Sequence, residues 1–298
     1  MYEGVIFGIP FDINPVAFTI PIGGGWDVYW YGIIIALAFL SVVVYAMKKA
    51  NHYELDVDKM IDVALVTTPV AILCARLFYI IFDGEKLNGI SDFFGFDGGG
   101  FSGLAIYGGV IGAFGYGFLM CKIKKLNFLD MFDIAAVCFL LAQGIGRWGN
   151  FFNQEVYGVH TGSNWWGMMS NRTVNEMGTG LVHPLFLYEF VWCVVGFFVI
   201  THFAKNRKFK GQNTLLYGVW YGFGRAFLEL LRPSIFTLTI GKLPVSSLLS
   251  FVLCIVCSIL LVLALKKHDK VEEYIPLFTE NEEEIITEEE VVVDGQDN

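Results

Sequence analysis

An arginine, two asparagines and a glutamate fall within nine residues in the stretch Gly146-Arg147-Trp148-Gly149-Asn150-Phe151-Phe152-Asn153-Gln154-Glu155, closed by Val156-Tyr157-Gly158. A guanidinium binds an anion through a planar fork of donors, amides add directional donors, and a carboxylate orients either. The stretch follows a run that is apolar from Ile134 to Leu141, so these groups arrive where a hydrophobic helix leaves a bilayer. A charge near the bilayer centre costs about 2.5–3.5 kcal/mol on insertion scales and by default marks a functional site. Gly144, Gly146 and Gly149 remove bulk around Arg147 and allow close approach of another helix or of a bound anion.

Other polar side chains interrupt apolar runs in the same way. Tyr31 follows Trp30 at the start of the first run, and Arg76 and Tyr79 lie i, i+3 on one helical face. Tyr107 precedes Gly108 and Gly112, whose spacing suits close helix packing. His183 and Pro184 open a further run with Tyr188 and Glu189 near its start, which makes Glu189 a candidate acceptor for an arginine. Arg225, Glu229 and Arg232 stack at i, i+4 and i+7, with Glu229 placed to pair either neighbour. Two arginines with amide donors, carried toward one outer face, suit a phosphate, and the bottom-up reading is an intramembrane site for a phosphorylated lipid. No HExxH, DxD or GxSxG pattern supplies a metal or acyl-serine route, and no metal or cofactor is expected.

The elements that must position these groups are membrane spans. Of 298 residues, 55% are hydrophobic and 16% charged, and the mean hydropathy is +0.57, as in a polytopic membrane protein. Apolar runs near 28–47, 60–82, 103–120, 129–146, 185–203, 213–231 and 243–265 each approach the roughly twenty residues that cross a bilayer. The expected fold is therefore all-α, with about seven transmembrane helices and two long outward-facing loops, about 83–102 and 147–184. Trp148, Trp165 and Trp166 are expected to anchor the second loop at the membrane surface. Thirteen of the twenty basic residues, among them Lys48, Lys122, Arg207 and Lys266, fall in one alternating set of segments, which predicts an outside N-terminus and a cytoplasmic C-terminus. Met1 to Pro10 lacks a basic region followed by an apolar core, so the first span is expected to direct insertion.

The net charge of −9 is misleading, because residues 271–298 hold eleven acidic and no basic residues. Residues 1–270 read as the membrane domain and 271–298 as an acidic, disordered cytoplasmic tail. Nothing suggests a nucleic-acid footprint. The six cysteines lie in or beside apolar segments and read as small buried hydrophobes.

The stretch from Gly146 to Glu155 resembles the signature GRxGNFxNxE of bacterial prolipoprotein diacylglyceryl transferases. Trp30-Tyr31-Gly32, Gly108-Gly109, His183-Pro184 with Tyr188-Glu189, and the Arg225/Glu229/Arg232 stripe resemble that family in the same order, over about residues 15–267. The resemblance implies transfer of a diacylglyceryl group from phosphatidylglycerol to the lipobox cysteine of a prolipoprotein, releasing glycerol 1-phosphate, in the bacterial cytoplasmic membrane. A monomer is expected. Arg147 and Arg225 are then expected to hold the phosphate. Tyr107 and His183 join them as catalytic candidates, and Tyr31, Asn150, Asn153, Glu155, Gly158, Arg76, Glu229 and Arg232 are the candidates for substrate binding. The family often has histidine where this chain has Tyr107, and a phenol of pKa about 10 is a poor base, so Tyr107, His183 and the arginine field all stand as accounts of how the thiol loses its proton. The competing reading from a different class is a small-anion transporter, which would use the same arginines without chemistry.

Overall fold

The computed structural model describes residues 1–21, 25–83, 93, 105–233, 239–240 and 243–268. The tail 271–298 and nearly all of the expected first outer loop lie outside the described residues, as do the side chains of residues 83, 106, 107, 239 and 240. The chain is mostly helical. Its long helices are α1 (Trp30–Lys49), α2 (Val57–Asp83), α3 (Ile106–Lys124), α4 (Phe128–Phe152), α6 (Leu185–Ala204), α7 (Gln212–Leu228) and α8 (Val245–His268), with the short α5 (Asn171–Met177) before α6.

Among the described residues, five helices are long and apolar enough to cross a membrane: α1, α2, α4, α6 and α8. The other two expected spans are helical as well, but α3 carries five glycines and α7 is 17 residues long with Gln212, Asn213 and Arg225 in its sequence.

The all-α expectation is corrected at the N-terminus. Strands β1 (Tyr2–Ile6) and β2 (Ile9–Ile13) form an antiparallel hairpin, and β3 (Val16–Ile20) pairs with β4 (Trp26–Tyr29) before the chain enters α1. Phe7 and Gly8 both have positive φ, the condition for a tight two-residue turn matched to strand twist. Strand β5 (Met168–Ser170) adds to β1, so residues more than 160 positions apart share one sheet in the order β2-β1-β5. A short antiparallel pair, β6 (Thr239–Ile240) with β7 (Leu243–Pro244), precedes α8. The second outer segment also begins later than expected, because α4 runs through Arg147 and Asn150 to Phe152. It is folded rather than a plain loop, with β5, α5 and a capping box between Ser170 and Thr173.

Helix α4 is the centre of the bundle, packing on α1, α6 and α7. Val137 and Leu140 of α4 meet Cys193 and Ile200 of α6 in one buried cluster. The GxxxG reading of α3 holds: a Cβ on Gly108 would sit 2.5 Å from Cys74 O of α2, and one on Gly112 would sit 2.7 Å from Cys74 Cβ. Helix α3 reaches α4 through the ring pairs Phe114–Phe132 and Phe118–Phe128, at the α4 end remote from Arg147.

That remote end is closed by charge. Fully buried Asp133 accepts from Gly211 N, Thr214 N and Thr214 Oγ1 and pairs Arg207 at 2.9 Å, which caps α7 from α4. Lys210 bridges Glu54 at 2.8 Å and Asp130 at 2.7 Å.

Helices α6 and α7 are joined by a reciprocal clasp. Trp192 Nε1 donates to Trp220 O at 3.1 Å, Trp220 Nε1 donates to Trp192 O at 3.0 Å, and the indoles stack with centroids 4.4 Å apart. Each ring lies on a glycine of the opposite helix, since a Cβ on Gly196 would be 2.2 Å from Trp220 Nε1 and one on Gly224 would be 2.1 Å from Trp192 Nε1. Gly224→Ala should therefore break the clasp and lower stability by about 1–3 kcal/mol through overpacking alone. The thermal unfolding midpoint in detergent checks this, and an unchanged midpoint would refute it.

Candidate functional site

Three helices bring their charges together. Glycine makes this possible on α4, where a Cβ on Gly144 would already touch Cys193 Cβ of α6 at 3.4 Å, so Arg147, one turn on, reaches the neighbouring helix. Arg147 Nη2 lies 2.6 Å from Glu189 Oε2 of α6, and Arg225 Nη1 of α7 lies 3.1 Å from Glu189 Oε1. Glu189 is 7% exposed and bridges both arginines, one oxygen to each. Arg225 Nη2 also lies 2.6 Å from Glu229 Oε2. Glu229 Oε1 is 3.6 Å from Arg232 Nη1 and accepts from Ser246 Oγ of α8 at 2.8 Å. The chain Arg147–Glu189–Arg225–Glu229–Arg232 thus crosses the bundle. Buried ion pairs of this kind are retained when each partner satisfies the other, because a lone buried charge would be costly.

The signature stretch wraps one end of that chain. Arg147 Nη1 donates to Asn150 Oδ1 at 3.1 Å, and Asn150 Nδ2 donates to Glu155 Oε1 at 2.9 Å. Asn153 Nδ2 adds a second bond to Glu155 Oε1 at 3.3 Å. Arg147 Nε is buried and has no hydrogen-bond partner among the described residues, a donor left over in a site built of ion pairs. Tyr31 of α1 packs on Gly149, where a Cβ would lie 2.7 Å from its ring, and is within electrostatic reach of Glu155 and Arg147.

Of the other sequence candidates, Gly158 joins the loop to the segment just before the start of α6 and to the 3-10 turn after α7. Its N–H donates to His183 O at 2.8 Å, and a Cβ there would meet His183 Cβ and Leu231 O, each at 2.8 Å. Arg76 is buried on α2, donates from Nε to Phe93 O at 3.0 Å and lies over the Tyr79 ring, 5.5 Å from its centroid, as the i, i+3 spacing predicts. The Tyr107 backbone is in the first turn of α3, while its side chain lies outside the described residues. The Arg225 stripe is not one continuous helix. Helix α7 ends at Leu228, Glu229–Leu231 tightens into a 3-10 turn, and Arg232 is extended.

His183 Nδ1 is 3.2 Å from Tyr188 Oη, which accepts from Trp166 Nε1 at 2.7 Å. Trp166 can only donate, so the Tyr188 proton is free to point at Nδ1, which requires neutral imidazole. Burial agrees, holding the His183 pKa below its ordinary 6.5. With the folded pKa depressed, this contribution to stability is present above about pH 6.5 and is lost as pH falls through the folded value. The stability of the protein over His183→Gln should shrink accordingly between pH 7.5 and 5. Thermal midpoints across that range check it, and a constant difference would count against it.

Some groups around the arginine chain escaped the sequence reading. Glu189 was legible as an acceptor for one arginine, not as the bridge between two. Tyr221, one turn before Arg225 on α7, is within electrostatic reach of Arg225, Glu189 and Arg147, and the i−4 spacing was its only signal. Nothing in the sequence marked Ser246.

Fold and site together define a helical, multi-pass membrane protein with paired arginines and glutamates set among apolar helices. Residues 15–263 match the family model described as prolipoprotein diacylglyceryl transferase. The chain belongs to that family and is a transferase. It is similar to the phosphatidylglycerol–prolipoprotein diacylglyceryl transferase of Clostridium novyi strain NT, 38% identical over 84% of this chain and 95% of the relative. It is likewise similar to the protein of that name numbered 1 in Clostridium perfringens strain 13, 39% identical over 87% and 98%, and to that of Clostridioides difficile strain 630, 37% identical over 80% and 91%.

Proposed function

We propose that this chain transfers the sn-1,2-diacylglyceryl group of phosphatidylglycerol to the lipobox cysteine thiol of a prolipoprotein signal peptide, the first step of bacterial lipoprotein maturation. The observation that carries this reading is the meeting of Arg147 and Arg225, from two helices, on one carboxylate at 2.6 and 3.1 Å. The names of the relatives support it.

The sulfur attacks a glyceryl carbon and forms a thioether. The carbon–oxygen bond breaks, its electron pair stays on the phosphate oxygen, and glycerol 1-phosphate leaves. The phosphate passes from one negative charge toward two, so fixed cations that bind the dianion better than the monoanion lower the barrier. Arg147 and Arg225 take this role. Asn150, Asn153 and Glu155 orient the Arg147 side of the site, Glu229 and Arg232 the Arg225 side, and Tyr31 packs beside Arg147 on Gly149; Gly158 and Arg76 are kept in this reading as substrate-binding residues on their sequence alone. The arginine field favours the thiolate, and Tyr107 and His183 are the two candidates of this reading for the group that takes its proton. Tyr107→Phe and His183→Gln separate them, since only loss of the acceptor removes turnover.

Seven helices span the bacterial cytoplasmic membrane in this reading, with the N-terminus outside and the C-terminus in the cytoplasm. Lys210 and Arg207 gathered with Asp130, at the end of α4 opposite Arg147, agree with that orientation. The chain works as a monomer, and deletion of the acidic segment 271–298 should leave turnover within about twofold. A larger loss in the truncated protein would refute that.

The test is purified protein in detergent with phosphatidylglycerol and a lipobox peptide. A peptide mass gain of one diacylglyceryl group supports transfer. Anion flux in liposomes without any lipidated peptide would establish the transporter reading instead.

A further inference from the structure

The turn that carries Glu155 is strained and is held from outside. Gln154 has φ +52° and Val156 φ +59°, in the left-handed region that a β-branched residue rarely enters. Such a conformation persists only where the surroundings over-determine it. On one side of the turn, Arg172 Nη1 of α5 donates to Asn153 O at 2.7 Å. On the other, the Tyr157 hydroxyl donates to Glu176 Oε2. Arg172 Nε closes the circuit on Glu176 Oε1 at 2.9 Å, an i, i+4 pair on a helix tied to the sheet through the Ser170 capping box.

Both ends of the turn are therefore fixed to a single turn of α5. We propose that Arg172, with Glu176 and Tyr157, is a positioning device for the reaction. It holds the strained turn so that Glu155 stays on Asn150 and Asn153, and Asn150 stays on Arg147. Arg172 is a positioning residue that acts through the Asn153 carbonyl, and Val156 is where the strain is stored. This inference rests on the transferase reading above and names a further residue that its rate depends on.

The experiment compares the full-length protein with Arg172→Gln and with Arg172→Gln/Val156→Gly. It reads kcat, KM for phosphatidylglycerol, thermal midpoint and amide exchange over residues 153–158. Arg172→Gln should lower kcat by about tenfold or more, since small misplacements of a catalytic group have effects of that order, with KM and midpoint little changed. The Glu155 and Gly158 amides should exchange faster. Adding Val156→Gly should restore part of kcat, because glycine adopts positive φ without strain. If Arg172→Gln does not fold, Tyr157→Phe takes its place with the same expectations. An unchanged kcat would overturn the proposal, and so would a loss confined to KM that Val156→Gly does not relieve, which would make Arg172 a substrate contact. If the wild-type protein lipidates no peptide, the transferase reading fails, while amide exchange still decides whether Arg172 holds the turn.

Discussion

Arg147→Ala should lose about three orders of magnitude in the rate of peptide lipidation, and Arg225→Ala about as much. In the proposed mechanism the loss is large because each guanidinium acts where charge develops, in a site walled by apolar helices where electrostatic interactions are screened less than in water. Lysine should not rescue either position. Arg147 spans Glu189 and Asn150 with two nitrogens, and Arg225 spans Glu189 and Glu229, a fork that a single ammonium cannot reproduce. The double variant should be little worse than either single one if, as proposed, the two cations hold one phosphate and act as a unit. Initial rates of peptide mass gain check all three statements. Turnover by Arg147→Ala near the wild-type rate would remove Arg147 from the chemistry.

Glu189→Ala should have the largest effect on stability. It leaves two half-buried guanidiniums without the buried carboxylate they share, and breaking a buried pair from one side costs at most about 3–5 kcal/mol, less where the cations keep some solvent. The expected result is a clear fall in the thermal midpoint in detergent, with turnover falling too as Arg147 and Arg225 separate. Combining Arg147→Ala with Glu189→Ala should destabilise less than the sum of the two, because each substitution removes part of the other's penalty. An additive pair of midpoint shifts would show that the two side chains do not act on one another.

Much of this site was legible because it breaks the pattern around it. Arg147 and Arg225 stand out in apolar runs, and Gly108 with Gly112 announced close packing that the contact with Cys74 of α2 bears out. The helices followed from the same runs, although α7 stops at Leu228 where its apolar run continues to Leu231. What stayed hidden depends on which elements become neighbours. Strand β1 pairs with Met168–Ser170, a partner more than 160 residues away, and five-residue strands beside a membrane domain carry little local signal. Glu189 could be matched to one arginine by charge, but its bridging role needs α4 and α7 on either side of α6. The clasp of Trp192 and Trp220 was equally illegible, since each indole bonds to a carbonyl on the opposite helix.

The central claim is that the arginine pair binds the departing phosphate better as a dianion than as a monoanion. Inhibition of the wild-type protein by glycerol 1-phosphate, measured against phosphatidylglycerol from pH 5 to 7.5, tests it most directly. A phosphate monoester takes its second charge near pH 6, so inhibition should be competitive and should tighten as pH rises through that value. Inhibition that is independent of pH, or that strengthens toward pH 5, would contradict the account.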